Sequence, residues 1–313
     1  MKRVVLDMDP GVDDALALLY ALATPDIEIA AITTVSGNVP VRLGTQNALK
    51  VLELAGADVP VYEGAAAPLT REPVHATHIH GDDGLGDTKL PASVAMSQGD
   101  AVSYLQDALN APSAPHLVAI GPLTNLALAE FNHPGLLTKA SSLTVMGGAV
   151  HVAGNAAPRS EFNFFADAEA AHSVLRARAQ VRVVPLDVTR QVLLTAEVLQ
   201  RHTKGEASAV AQFIRESTAT PMLFASECHG HDGIYLHDPL AVALALGHLP
   251  AEWQRGWGDV ETTGGLAHGQ LVMDERPTRC DRDRIGVELE WASRVNADAF
   301  LELFFRRVLG GYR

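Results

Sequence analysis

Cysteine is nearly absent from this chain of 313 residues, with only Cys228 and Cys280. Two thiols in so long a chain exclude a disulfide scaffold and point to a reducing compartment. Basic residues are also scarce: 24 Lys and Arg stand against 37 Asp and Glu, for a formal net charge of −13. That balance opposes nucleic-acid binding, because a phosphate backbone has to be met by positive charge. No uncharged apolar run approaches the roughly 18 residues a membrane span requires. The chain runs directly into an apolar strand pattern, without a charged-then-apolar leader. A cytoplasmic protein is expected, with neither nucleic acid nor membrane as partner.

What is present is a soluble, core-forming composition, 47% hydrophobic and 19% charged. Short β-branched runs alternate with apolar-periodic stretches: "VVLD" with "VDDALALLYALA", "IEIAAITTV" with "VRLGTQNALKVLELAG", "HLVAI" with "PLTNLALAEF". The alternation predicts an α/β fold, an open, mostly parallel (mixed) sheet with a Rossmann-like core flanked by helices. Residues 1–313 are expected to form one domain. The region 190–247 reads mainly helical. Short strands are expected near 257–262, 269–273 and 284–290, and a closing helix from about 295 to 309. Two stretches, 67–91 and 149–166, follow neither periodicity, as functional loops often do.

Ligands of open parallel sheets bind beyond the carboxyl ends of the strands, and the polar residues collect there. "LDMDPGVDD" sets Asp7, Asp9, Asp13 and Asp14 within eight positions after the first strand. First-turn helix capping accounts for Asp13 or Asp14 but not for all four. A hard cation held by carboxylates with a carbonyl or waters accounts for the set, and an EF-hand spacing is absent. Asn38 ends the second strand, and "HLVAI" ends at Ile120, whose carbonyl could face the same crevice. Asn155, Glu161 and Asn163 share a loop and could grip sugar hydroxyls, although a capped helix start would explain part of that run. His237 and Asp238 read, taken alone, as a helix start with Asp238 as N-cap before Pro239. Histidines 75, 78, 80, 229 and 231 lack the partners and spacing of a zinc site, so contact with a substrate suits them better. Cys228 and Cys280 read as buried or incidental thiols.

Taken together, "LDMDPGVDDALAL", "ITTVSGN", "GPLTNLA", "MGGA", "GNAAPRSEFNFFADAEAA" and "HDPLAVA" resemble, in order, the blocks of the inosine–uridine-preferring nucleoside hydrolases. The likeness runs from residue 4 to beyond 245. It implies the nucleoside hydrolase fold and calcium-dependent cleavage of the N-glycosidic bond of ribonucleosides to ribose and free base. By position, Asp9 would be a calcium ligand and the general base acting on a metal-bound water. Asp14, Asp238 and the Ile120 carbonyl would complete the protein ligands. Asp13 and Asn38 would hold the ribose 2′- and 3′-hydroxyls, with Asn155, Glu161 and Asn163 on the 3′- and 5′-side. Met146 and Phe162 would lie near sugar and base. His237 would be the acid for the departing base, and Asp7 a supporting residue.

"HIHGDDGLGD", with His80, matches a mobile loop of that family. "FASECHGHDGIYLHDP" spans the base pocket, with Ala225 and His229 where some members carry Tyr and Arg, so base preference is not inherited. Relatives of this kind imply a homodimer or homotetramer. A calcium- and ribonucleoside-binding protein without catalysis is the alternative, and it is disfavoured because every acid the chemistry needs is present. A phosphorylase would need a phosphate site, for which neither a Gly-rich loop nor a basic cluster is seen.

Overall fold

The computed structural model describes residues 1–277 and 280–312, and at His229 the backbone only. The strands are β1 (Lys2–Met8), β2 (Ile27–Thr34), β3 (Val61–Glu63), β4 (His116–Ala119), β5 (Ser142–Met146) and β6 (Val181–Val184). They are followed by β7 (Leu193–Leu194), β8 (Ile234–Tyr235), β9 (Ala251–Val260), β10 (Leu271–Met273) and β11 (Val287–Val295). Nine of them form one sheet in the order β10-β9-β11-β6-β5-β4-β1-β2-β3, while β7 and β8 pair separately. From β3 across to β11 every neighbouring pair is parallel; β9 pairs antiparallel with both β11 and β10. The expected mostly parallel, mixed α/β sheet is therefore the fold.

Burial on both faces explains why the central strands read as unbroken apolar runs. Val4, Leu6 and Met8 of β1 face one hydrophobic core, and Val5 faces the other. Val118 of β4 joins the first core, Leu117 and Ala119 the second. The chain leaves β1 toward β2 and β3, then returns to the opposite side of β1 for β4 and β5. The direction of winding thus reverses between β1 and β4, the place where open α/β sheets form their binding crevice. Asp9 follows β1 and Ile120 follows β4, on either side of that point.

Three boundaries differ from the sequence reading. β9 spans Ala251–Val260, not 257–262, because antiparallel pairing with β11 recruits the polar run "AEWQRG" to an otherwise unremarkable segment. β11 runs Val287–Val295, extended by the same partner beyond the expected 290. The closing helix is Ala297–Gly311, two residues later than expected, where the Asn296 side chain accepts the Ala299 amide at 3.0 Å. Cys228 and Cys280 are exposed, not buried. Among the described residues no helix is long and apolar enough to cross a membrane.

Candidate active site

The four N-terminal aspartates do four different things. Asp14 sits at the third position of the helix Val12–Leu22, and its carboxylate closes the turn that precedes it. Oδ1 accepts the Asp9 amide at 3.1 Å, and Oδ2 accepts the Gly11 amide and the Asn38 Nδ2 at 3.0 Å each. Asp9 is fully buried, with Oδ2 taking the Asn38 amide at 2.6 Å and Oδ1 without a partner. Asp13 accepts the Asp238 amide at 2.9 Å on Oδ2, leaving its Oδ1 also unpartnered. Asp7 takes Thr33 Oγ1 (2.6 Å) and Asn125 Nδ2 (2.7 Å) on Oδ1, tying β1 to β2 and to the helix Thr124–Asn132. Two glycines make room for Asp9. A Cβ at Gly37 would collide with its carboxylate, and one at Gly121 would lie 2.7 Å from Oδ1.

Burial and mutual repulsion set the electrostatics. Desolvation raises Asp9 well above the ordinary carboxylate range, and the nearby Asp14 charge adds to it. Desolvation likewise raises Asp13 and Asp238, the latter further through the charges of Asp13, Asp14 and Asp9. Asp14 is pushed up to about 6 by burial, checked by the amides it accepts. Asp7 and Glu161 are each pushed to about 7 for the same first reason. Unpaired buried carboxylate oxygens are expensive in a low-dielectric setting, and they are rare unless something else completes them.

Asp13 and Asp238 line a cavity of about 670 Å³, while Asp9 and Asp14 are fully buried and outside its lining. One wall is polar: Asn38, Asn155, Glu161 and Asn163, with Met146 and the Ile120 carbonyl between them. Asn163 Nδ2 donates to the Ile120 carbonyl at 2.9 Å and to the Met146 carbonyl at 3.2 Å. Glu161 is the N-cap of the helix Phe162–Ala166, accepting the amides of Asn163 (2.8 Å), Phe164 (3.2 Å) and Gly148 (3.0 Å). Asn155 Oδ1 accepts the Phe162 amide at 2.9 Å. Glu161 therefore both caps one helix and lines the cavity, while Asp167 caps the helix that follows.

The cavity is also lined by aromatic and imidazole side chains, with Phe162, Phe165, Phe224, Tyr235, His80 and His237 among them. The helix carrying Asp238 begins at His237 with Leu236 as N-cap, which corrects the expectation that Asp238 caps it. Asp238 is free of that task, and it lines the cavity. His80 Nδ1 accepts the Val12 amide at 3.1 Å, the first amide of the first helix, and burial with nearby His78 pushes its pKa down to about 4. His237 Nδ1 lies 2.6 Å from Thr189 Oγ1, and burial with Arg190 and His80 holds it down near 3. The His229 side chain lies outside the described residues.

The sequence reading missed Thr189, Arg190, Phe165 and Tyr235. Arg190 is the only Lys or Arg in the cavity wall among the described residues, and it ties down the loop opposite through the carbonyls of Ala153 (2.7 Å) and Gly154 (2.9 Å). A basic residue after "PLDVT" carries no signal in sequence; only the fold turns it inward.

Among the described residues no three acid, His or Cys side chains close on one point as a ready-made metal cage. What the cluster offers is hard oxygen donors, one each on Asp7, Asp9 and Asp13 buried and unpartnered, and among the described residues no basic side chain is recorded against the carboxylates of these three. That donor set suits a hard divalent cation and not a soft one.

Comparison with known proteins agrees with this geometry. The sequence model of the "inosine-uridine preferring nucleoside hydrolase" family matches residues 4–302. A pyrimidine-specific ribonucleoside hydrolase of Shewanella sp. (strain ANA-3) is 37% identical over 87% of this chain and 86% of its own. A solved plant nucleoside hydrolase superposes with a TM-score of 0.91 at 32% identity, covering 98% of this chain and 99% of that one. A solved purine-preferring ribonucleoside hydrolase from Gardnerella vaginalis gives a TM-score of 0.89 at 30% identity, with 99% of both chains covered.

Proposed function

Because the chain belongs to the inosine-uridine preferring nucleoside hydrolase family, hydrolysing ribonucleosides to ribose and base, we propose a reaction dependent on calcium and initiated by Asp9. The observation that carries the reading is the pair of buried, unpartnered carboxylate oxygens, on Asp9 and Asp13, at the switch point of the sheet. Asp9, Asp14, Asp238 and the Ile120 carbonyl would hold the ion. Bound there, calcium supplies positive charge that offsets the repulsion among the acids, lowers the pKa of water and fixes a vicinal diol.

The remaining work belongs to the chain. Asp9, whose carboxyl is raised well above the ordinary range by burial and by the charge of Asp14, is suited to take a proton from the attacking water. Asp13 and Asn38 offer acceptor and donor to the 2′- and 3′-hydroxyls, and Asn155, Glu161 and Asn163 to the rest of the ribose. As the glycosidic bond breaks, the sugar gains oxocarbenium character, which Glu161 and the amide oxygens around it stabilise. Met146 would lie against the sugar and Phe162 against the base, with His80, at the end of the short helix Thr77–His80, and His229, at the end of the π-helical turn Ala225–His229, as further contacts. His237 serves the departing base. Its imidazole is neutral near pH 7, so the role open to it is a hydrogen bond from N–H to the developing negative charge.

The aromatic side chains of the cavity could stack on either base class, and the relatives include both a pyrimidine-specific and a purine-preferring hydrolase. We read residues 1–313 as one domain acting as a cytoplasmic homodimer or homotetramer. The deciding experiment measures ribose released from inosine, adenosine, guanosine, uridine and cytidine in phosphate-free buffer, with and without a calcium chelator. Release that collapses on chelation and returns with calcium supports the reading. Release indifferent to chelation removes the metal, and binding of calcium and ribonucleoside without release would favour a non-catalytic binding protein.

A further inference from the structure

Both cavity histidines have their Nδ1 atoms committed to the protein. At His80 the partner is the Val12 main-chain N–H, 3.1 Å away, which can only donate. Nδ1 is therefore the lone-pair nitrogen, and any proton on neutral His80 resides on Nε2. At His237 the partner is a hydroxyl, Thr189 Oγ1 at 2.6 Å, which could donate or accept. Burial resolves it. Thr189 is 0% exposed, and among the described residues His237 Nδ1 is the hydrogen-bond partner its Oγ1 has. Were the hydroxyl to accept from an Nδ1–H, its own proton would be buried with no acceptor, which proteins avoid. Donation from Thr189 satisfies both groups and leaves the His237 proton on Nε2.

The platform under Thr189 is held from both sides. Asp187, two residues before it, accepts the amides of Val150 and His151 at 2.8 Å each. Arg190, directly after it, binds the carbonyls of Ala153 and Gly154 at 2.7 and 2.9 Å. Thr189 ends the one-turn helix Leu186–Thr189, which packs against the helix bearing His237. The hydroxyl is thus fixed in place before any substrate arrives, and preorganised donors need no rearrangement when charge develops.

We propose that Thr189 is a positioning residue, and that by donating its hydroxyl to Nδ1 it fixes the His237 ring so that the proton sits on Nε2, toward the departing base. The proposal deepens the hydrolase reading and rests on it for its kinetic consequences. His80, fixed the same way by the end of the first helix, gives the cavity a second Nε2–H donor. A pair of neutral donors favours bases that leave with charge on an exposed ring nitrogen or carbonyl oxygen. It adds little where the leaving group is already stable as an anion.

The test combines kinetics with a direct reading of the tautomer. Thr189→Val keeps shape and removes the hydroxyl; Thr189→Ser keeps the hydroxyl and removes a methyl group. Thr189→Val is expected to lower kcat on inosine or uridine by roughly 10- to 100-fold, the range for partners that orient an imidazole. KM should change little, and p-nitrophenyl riboside should be turned over nearly as before. Thr189→Ser should recover most of the lost rate. In the full-length protein, 15N–1H correlation of the imidazole of His237, assigned by its disappearance in His237→Asn, should show Nε2 protonated and Nδ1 bare. Thr189→Val should blur that assignment into a tautomer mixture.

An Nδ1–H tautomer in the unaltered protein overturns the proposal, as does Thr189→Val with undiminished kcat on natural nucleosides. Equal losses in the Val and Ser variants on every substrate would reduce Thr189 to a packing residue and overturn it too. If the unaltered protein releases no ribose at all, the hydrolase reading fails, while the tautomer measurement still judges the Thr189–His237 bond by itself.

Discussion

The first helix, Val12–Leu22, has a polar cluster buried at each end, and the two are built on opposite terms. At its N-terminal end stand Asp9, Asp13, Asp14 and Asp238, all acidic, with oxygens of Asp9 and Asp13 unpartnered. At its C-terminal end Arg307 Nη1 lies 3.0 Å from Tyr20 Oη, 2.9 Å from Thr24 Oγ1 and 2.6 Å from His248 Nδ1. Thr24 Oγ1 donates to the Tyr20 carbonyl at 2.9 Å, and Asp26 lies 3.4 Å from His248 Nε2. Among the described residues none of the buried polar atoms in this second cluster lacks a partner. Acid at the N-terminus and base at the C-terminus both suit the helix dipole, so the dipole does not distinguish them. Satisfaction does. The complete cluster clamps the closing helix Ala297–Gly311 to the first helix, whereas the incomplete one stores repulsion that a cation and a substrate can relieve.

The sharpest way to break the contrast is Asp9→Ala, which removes a proposed ligand and the proposed base together. It should reduce kcat by about 1,000-fold or more. In chelator its melting temperature should equal or exceed that of the unaltered protein, because an uncompensated buried carboxylate is gone. Near-normal turnover would end the role assigned to Asp9. His237→Ala comes next, with a loss on the order of 100-fold on natural nucleosides and a much smaller one on p-nitrophenyl riboside. Equal losses on both would separate His237 from the leaving group.

Chelation should act on stability with a definite pH sign. The folded carboxyls are raised, Asp14 to about 6 and Glu161 to about 7, so their ionisation opposes folding. That opposition is absent below the unfolded pKa near 4, grows as pH rises, and is complete above about 7. Bound calcium offsets it only where the acids are ionised. Chelator should therefore lower the melting temperature by more at pH 8 than at pH 5; calorimetry giving the reverse order would show that the acids are not the ion's ligands. The smallest effect on turnover belongs to the complete cluster. Arg307→Met should cost about 2 kcal/mol of stability, from several acceptors left without a donor, while kcat stays within about twofold, the scatter of a substitution that removes no transition-state contact. A large kcat loss at unchanged stability would mean that the two ends of the helix are coupled.

Much of the site was legible because its signal is local. Asp9, Asp13 and Asp14 announce themselves by crowding, and the places of Asn38 in the loop after β2 and of Ile120 directly after β4 follow from strand–helix alternation. Glu161 was legible as a polar loop residue but not as the cap it also is: the amides of Asn163 and Phe164 that it caps are local, while the Gly148 amide reaches it from the segment after β5. Thr189, Arg190, Phe165 and Tyr235 were illegible, each being ordinary in its own segment. Taken alone, "HDP" has the spacing of an N-cap at Asp238, and only the helix starting at His237 shows that Leu236 holds that place.

The sequence by itself determined the parallel core, through apolar runs that must be covered on both faces, and the acid cluster, through charges too close to coexist unaided. The tertiary structure alone decided which of those acids keep an unpaired oxygen, because that depends on amides from Asn38 and Asp238 reaching them across 29 and 225 residues. It also decided the orientation of His237, through a hydroxyl 48 residues away. Hydrogen bonds are short-ranged and directional, so which buried group is satisfied is settled by the folded geometry, not by spacing along the chain.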